Sequence, residues 1–238
     1  MPGRNYYLLS ALPGLGDLGS DPPITRGDLL EKVTESAGPR ETVEALLLGD
    51  DLLQREALLA GEIEPGRAEP VVLSLRQMRD EEPLPDYLAV GEQERAPTIA
   101  ADAVWAAYFG HLAAVARRTG SEFLGAWTGF EVALRNALAA ERAKALGLEP
   151  DDYVVAADLA DRDVDLSAVV SEWSAAGDAL AALRLLDRGR WHWLTEHQGY
   201  FTYADDEVAA YAAKLSLLHR WRRLSERRDE RPSRTVTR

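Results

Sequence analysis

The chain has 238 residues, 46% of them hydrophobic, enough to bury a full core as one large domain or two small ones. It contains no cysteine, which excludes disulfides, thiolate metal sites and cysteine nucleophiles. A net charge of −13 repels phosphate backbones and argues against nucleic-acid binding.

Residues 5–12, Asn-Tyr-Tyr-Leu-Leu-Ser-Ala-Leu, are aromatic-rich and closed by Pro13-Gly14, which predicts a short N-terminal strand. A Gly/Asp/Pro loop runs to about Pro23. Thr25 or Asp28 then caps a short helix that ends before Gly38-Pro39. Residues 40–60 read as helix, with Val43, Leu46, Leu47, Leu52, Leu53, Leu58 and Leu59 as its apolar positions. Gly49-Asp50-Asp51 is turn chemistry and predicts an interruption there, with one of the aspartates capping the second piece. A loop over 61–70 and a short apolar element over 71–79 follow. The stretch 80–97 is rich in acid and proline (Pro83, Pro85, Pro97) and predicts a boundary. It divides an N-terminal subdomain, 1–97, from a helical bundle, 98–226, with a disordered basic tail over 227–238.

The second half reads as four long helices. Residues 99–118 put Val104, Ala107, Tyr108, His111, Leu112 and Val115 on one face, and Gly120-Ser121 opens a helix over 121–147. A third runs over 166–194, kinked near Gly189, and a fourth over 205–226 is opened by Asp205 or Asp206. Long amphipathic helices with short connections describe a bundle. The fold class is therefore mainly α, a helical bundle with a short N-terminal strand and shorter helices in the first third. No apolar run reaches the ~20 residues of a membrane span, and the N-terminus lacks the layout of a secretory signal. A soluble cytoplasmic protein is expected.

Several local patterns invite a chemical reading. Gly14-Leu-Gly16-Asp-Leu-Gly19 follows the expected strand, but Ser20-Asp-Pro-Pro blocks the helix whose N-terminus would hold a pyrophosphate, so a flexible turn is the better account. Asp161, Asp163, Asp165 and Glu172 match the acidic positions of a calcium loop, yet Leu166 stands where the sharp turn needs glycine. Asp165 is read as a helix cap instead. His192 and His197 are five apart, which misses the spacing that presents two ligands to one metal.

The most informative stretch is 121–147. Trp127, Glu131, Arg135, Leu138 and Arg142 recur there at spacings of three and four, with Asn136 beside them, so an aromatic, a carboxylate and two guanidiniums share one stripe. Such a face suits docking a protein, or else an ordinary bundle helix with a Glu131–Arg135 pair worth ~0.3–0.5 kcal/mol. Arg190 and Trp191, in Arg188-Gly-Arg-Trp-His-Trp193, join the stripe as interface candidates if exposed, or as core if buried. Deep burial of Arg135 beside Glu131 or Asp187 would instead make it a residue of the fold.

Taken in order, Tyr6-Tyr-Leu-Leu-Ser-Ala-Leu-Pro13, Leu84-Pro-Asp-Tyr-Leu88, Phe130-Glu-Val-Ala-Leu-Arg-Asn-Ala-Leu138 with Arg142, Leu186-Asp187 to Arg190-Trp191, and Tyr211-Ala-Ala-Lys-Leu215 to Arg220-Trp221 resemble a family. It is an uncharacterised bacterial family whose genes lie within V/A-type ATPase operons. The Phe-Glu-x-x-Leu-Arg-Asn segment is also similar to helices of the ATPase's C-type stalk component (d-type in eukaryotes), a helical funnel between the central stalk and the membrane rotor ring. The chain is short for the three complete repeats of that funnel. The resemblance implies a non-catalytic component or accessory factor of a V/A-type ATPase, with stalk and membrane-ring subunits as partners. It implies a cytoplasmic protein peripheral to the inner membrane, and no catalytic, cofactor-binding or metal residues. Two alternatives are a transient assembly factor and a stand-alone helical-bundle enzyme or ligand-binding protein using carboxylates and His111 in an inter-helix pocket.

Overall fold

A computed structural model of the chain describes residues 5–89 and 99–230, and among them every regular element is a helix. The α-helices of these residues run in order: α1 (Tyr6–Ala11), α2 (Arg26–Glu35), α3 (Arg40–Leu59), α4 (Leu75–Met78), α5 (Ala100–Thr119), α6 (Glu122–Ala145), α7 (Ser167–Ser174), α8 (Ala179–His197) and α9 (Asp205–Glu230). Single 3-10 turns at Pro65–Arg67, Asp86–Leu88, Pro150–Tyr153 and Ala157–Leu159 punctuate the connections.

The expected N-terminal strand is helix α1. Leu8 and Leu12 lie four apart and both face the core, while Tyr7 beside them is 84% exposed, which is helical rather than alternating burial. No strand stands beside it among the described residues to share a ladder. Asn5 instead fixes its start to that of α9, its N–H donating to the Tyr203 carbonyl at 3.2 Å and its side-chain amide to Asp205 at 2.7 Å.

Helix α2 begins with a capping box as expected, Thr25 accepting from the Asp28 N–H at 3.0 Å and Asp28 from the Thr25 N–H at 3.1 Å. Helix α3 corrects a second expectation, running unbroken through Gly49-Asp50-Asp51. Both aspartates find tertiary partners that outweigh their turn preference. Asp51 accepts from the backbone N–H groups of Val71, Val72 and Leu73 at 2.7–3.1 Å, and Asp50 accepts from Gln54 at 2.9 Å and Arg223 at 2.5 Å. Arg26 pairs with both.

Gly120, in the left-handed conformation (φ 72°), ends α5, and Ser121 caps α6 by accepting from the Leu124 N–H at 3.1 Å. Asp206 of α9 accepts from the Ser121 hydroxyl and, at 3.1 Å, from the Phe123 N–H. The expected helix over 166–194 is two helices, because Asp178 caps a new start, accepting from the Ala181 N–H at 2.8 Å. Gly189 lies inside α8 and packs on Val169 of α7; the break falls between Ser174 and Ala179 and not at that glycine. Helix α9 extends to Glu230, past the expected start of the basic tail; residues 231–238, like 90–98 of the expected boundary, lie outside the described residues.

Packing joins the two ends of the chain. Helix α3 lies against both α5 and α9, α5 against α6, and α8 against α7 and α9. One hydrophobic core runs through them, with Leu47, Leu112, Leu124, Leu194 and Leu215 all but inaccessible. No described helix is long and apolar enough to cross a membrane.

Candidate functional site

Where α3, α5, α6, α8 and α9 converge they leave a cavity of about 430 Å³. Leu46, Leu53, Trp105, Phe109, Leu138 and Leu217 make its apolar walls. Asp50, Asp102, Glu131, Arg135, Arg190 and Arg220 bring charge to it. Of the residues singled out from the sequence, Trp127, Glu131, Arg135, Arg142 and Arg190 line this space, whereas Asn136 and Trp191 do not.

The pairing within the stripe differs from expectation. Glu131 does not pair with Arg135 one turn away; both its oxygens are taken by Arg190 of α8, Oε1 by Nε at 2.7 Å and Oε2 by Nη2 at 3.1 Å. A bidentate fork is stronger than a flexible i,i+4 contact. Arg135 turns instead to Asp102 of α5 at 2.8 Å and lies over the Trp105 ring, 4.9 Å from its centre. Arg142 is exposed and sits over the Trp173 ring at 5.1 Å. Asn136 clasps the connection after α6, donating to the Val155 carbonyl at 2.9 Å and accepting from the Val155 N–H at 2.8 Å. Trp127 is buried against Trp193, which stacks on His197 at 3.9 Å. Half-buried Trp191 receives the Lys214 ammonium at 4.9 Å.

Asp187 is the knot of the network. Fully buried, it holds Arg190 and Arg220 at 3.2 Å through one oxygen and accepts from the Trp221 indole N–H at 2.9 Å through the other. Burial opposes the charge on Arg190, but the Glu131 and Asp187 carboxylates outweigh it and raise its pKa above the ordinary arginine value. Arg220 has the opposite balance. Burial pulls its pKa down, and Asp187 only partly restores it against the neighbouring Arg190. Around Asp50, burial favours the neutral acid, yet Arg26 and Arg223 hold the carboxyl below its usual range.

Asp50 and Asp51 are buried charge partners of Arg26 and not the turn and cap expected of them, and two carboxylates between Leu48 and Leu52 of a leucine-rich helix are a visible sign that buried cations must meet them. The other patterns resolve simply. Gly19 takes a positive φ of 100° against the Trp221 ring in a turn, and α2 begins only at Arg26. Asp165 accepts from the Ser167 N–H at 3.0 Å at the start of α7, and Asp161 accepts from the Asp163 N–H at 2.9 Å. His111 stacks on Tyr87 at 4.2 Å; buried His219 bonds the Ile24 carbonyl through Nε2 at 2.8 Å.

A second feature lies on the surface where α1 meets the α8–α9 turn. Phe201 is 80% exposed and Tyr200 60% exposed, and Tyr7 stands beside Tyr6, whose ring packs on Tyr203 at 4.9 Å. Phe201 (φ 56°) and Tyr203 (φ 54°) both occupy the left-handed region, which bulky residues avoid at a cost of about 1 kcal/mol or more each.

Fold and site together define a mainly helical protein whose interior charges are fixed on one another around a cavity. The chain belongs to the family described as a protein of unknown function (DUF2764), whose model matches residues 81–237, from just after α4 through α9. Neither a comparison with curated proteins nor one with solved structures yields a match.

Proposed function

We propose that this protein is a non-catalytic docking component of a V/A-type rotary ATPase, in or near the position of the funnel that joins central stalk to rotor ring. The observation that carries the reading is that Tyr7, Tyr200 and Phe201 are held out to solvent, Phe201 itself on strained backbone. Exposed aromatic side chains of limited freedom are the residues that anchor protein interfaces, and strain retained at an exposed turn points to a role for its shape. The resemblance of its segments to the family encoded beside the ATPase supports this choice of partner. The interior charge network suits the same role, because a linker between rotating parts needs rigid helices more than it needs reactive groups.

The test is affinity recovery of the tagged protein from gently solubilised native membranes, with Phe201→Asn alongside. Asparagine tolerates the left-handed backbone, so the variant loses the ring and keeps the fold. Stoichiometric recovery of stalk and ring subunits with the wild type, and its loss with the variant, is expected. Substoichiometric recovery of unassembled subunits would assign the protein to assembly instead. Bait alone, under conditions that keep the ATPase intact, would overturn the reading.

A further inference from the structure

We propose that the interhelical cavity binds an anionic amphiphile, a molecule whose acidic group seats against Arg220 and whose apolar body fills the space between Trp105, Phe109 and Leu138. The proposal stands apart from the docking role and rests on the cavity alone.

The carboxylates around the cavity are already engaged. Both oxygens of Glu131 are held by Arg190, Asp102 by Arg135, and Asp50 by Arg26, Arg223 and Gln54. Arg220 is different. It lines the cavity with its side chain only 19% exposed, and its single ion-pair partner among the described residues is one Asp187 oxygen at 3.2 Å, shared with Arg190 at the same distance. A guanidinium carries five N–H donors, so most of those on Arg220 are left without a protein acceptor on the cavity side. At the other end, Arg142 has no carboxylate partner among the described residues. An acid entering the cavity therefore meets open donors, while a cation meets carboxylates already neutralised and the guanidiniums beside them.

The mouth argues for an apolar body. Ile99, Leu146 and Leu148 line the opening and are 48%, 73% and 43% exposed. A chain with a net charge of −13 also repels small free anions, so a simple inorganic ion lacks the apolar contact that would offset that repulsion. A volume of about 430 Å³ is in the range of small-molecule sites, lined mostly by apolar groups with a few fixed polar ones.

The experiment compares two dyes of the same ring system, anilinonaphthalene sulfonate and uncharged phenylnaphthylamine, by fluorescence titration of the full chain. Saturable binding of one sulfonate per protein is expected, ~10-fold or more tighter than the uncharged dye, with displacement by decanoate and not by decyltrimethylammonium. Arg220→Gln is expected to bring the sulfonate down to the level of the uncharged dye. Ala139→Phe, which narrows the cavity and removes no charge, is expected to abolish binding of both. A partly unfolded variant would raise dye fluorescence, so loss of signal with unchanged far-UV circular dichroism is not a folding artefact. Equal affinity for the two dyes, displacement by the cationic detergent, or full binding by Arg220→Gln would overturn the proposal.

Discussion

His219 illustrates how one buried side chain sets a response to pH. Its ring is 2% exposed, Nε2 donates to the Ile24 carbonyl, and Nδ1 has no partner, so the neutral ring is the form the fold accommodates. Burial pushes its pKa below the ordinary value of ~6.5, with Arg222, Arg26 and Arg223 adding to the shift against the opposing Ile24 bond. The sign follows from linkage. As pH falls through ~6.5 the unfolded chain takes up a proton that the folded chain refuses, so stability is full above that value and is lost below it. Denaturant midpoints are expected to drop between about pH 7.5 and about pH 5.5, values that bracket ~6.5. The drop should shrink in His219→Gln, whose amide can still donate to Ile24. Half-buried His111 is shifted the same way by burial and acts in the same direction. A pH dependence unchanged by the substitution would show that other groups govern it.

At the scale of elements, Gly49 shows tertiary packing overruling local preference. An interior helical glycine normally gains about 1 kcal/mol on replacement by alanine. Here a Cβ would fall on the Tyr108 hydroxyl, so Gly49→Ala is expected to destabilise by about 1–3 kcal/mol, and Tyr108→Phe to recover part of the loss in the double variant. A stabilised Gly49→Ala protein would show that the α3–α5 contact yields readily. The same contrast explains what the sequence disclosed. Helices α5 and α6 were legible because their apolar spacing and the Gly120-Ser121 punctuation agree. Helix α1 was misread because its tyrosines favour strands locally, while only the distant α9 shows which of its residues are covered. The aspartates of α3 read as a turn because the partners that hold them in the helix, Arg26, the Val71–Leu73 backbone and Arg223, lie 20 to 173 residues away. For Glu131 the stripe was legible and the partner was not, since Arg190 is 59 positions distant in the chain.

For the molecule as a whole, α3 lies between α5 and α9, and Arg26, Asp50 and Arg223 tie α2, α3 and α9 at one buried point. Removing one member of such a group leaves its partners charged and unpaired, a loss of about 3–5 kcal/mol. Calorimetric unfolding is therefore expected to show one transition with matching calorimetric and van't Hoff enthalpies, because neither end of the chain keeps its interior without the other. Two resolved transitions would mean that the first helices and the long ones hold together separately.

The shared carboxylate of Asp187 has a mechanical consequence. It pins α8 to α9 through Arg220 and Trp221, and Arg190 beside it pins α8 to α6 through Glu131. Short, directional contacts of this kind act as a shear pin, stiff against one helix sliding along another and weak once stretched by a fraction of an ångström. A displacement of α9 is thus passed to α6 through α8 along one chain of contacts, from Arg220 and Trp221 to Asp187 and from Arg190 to Glu131.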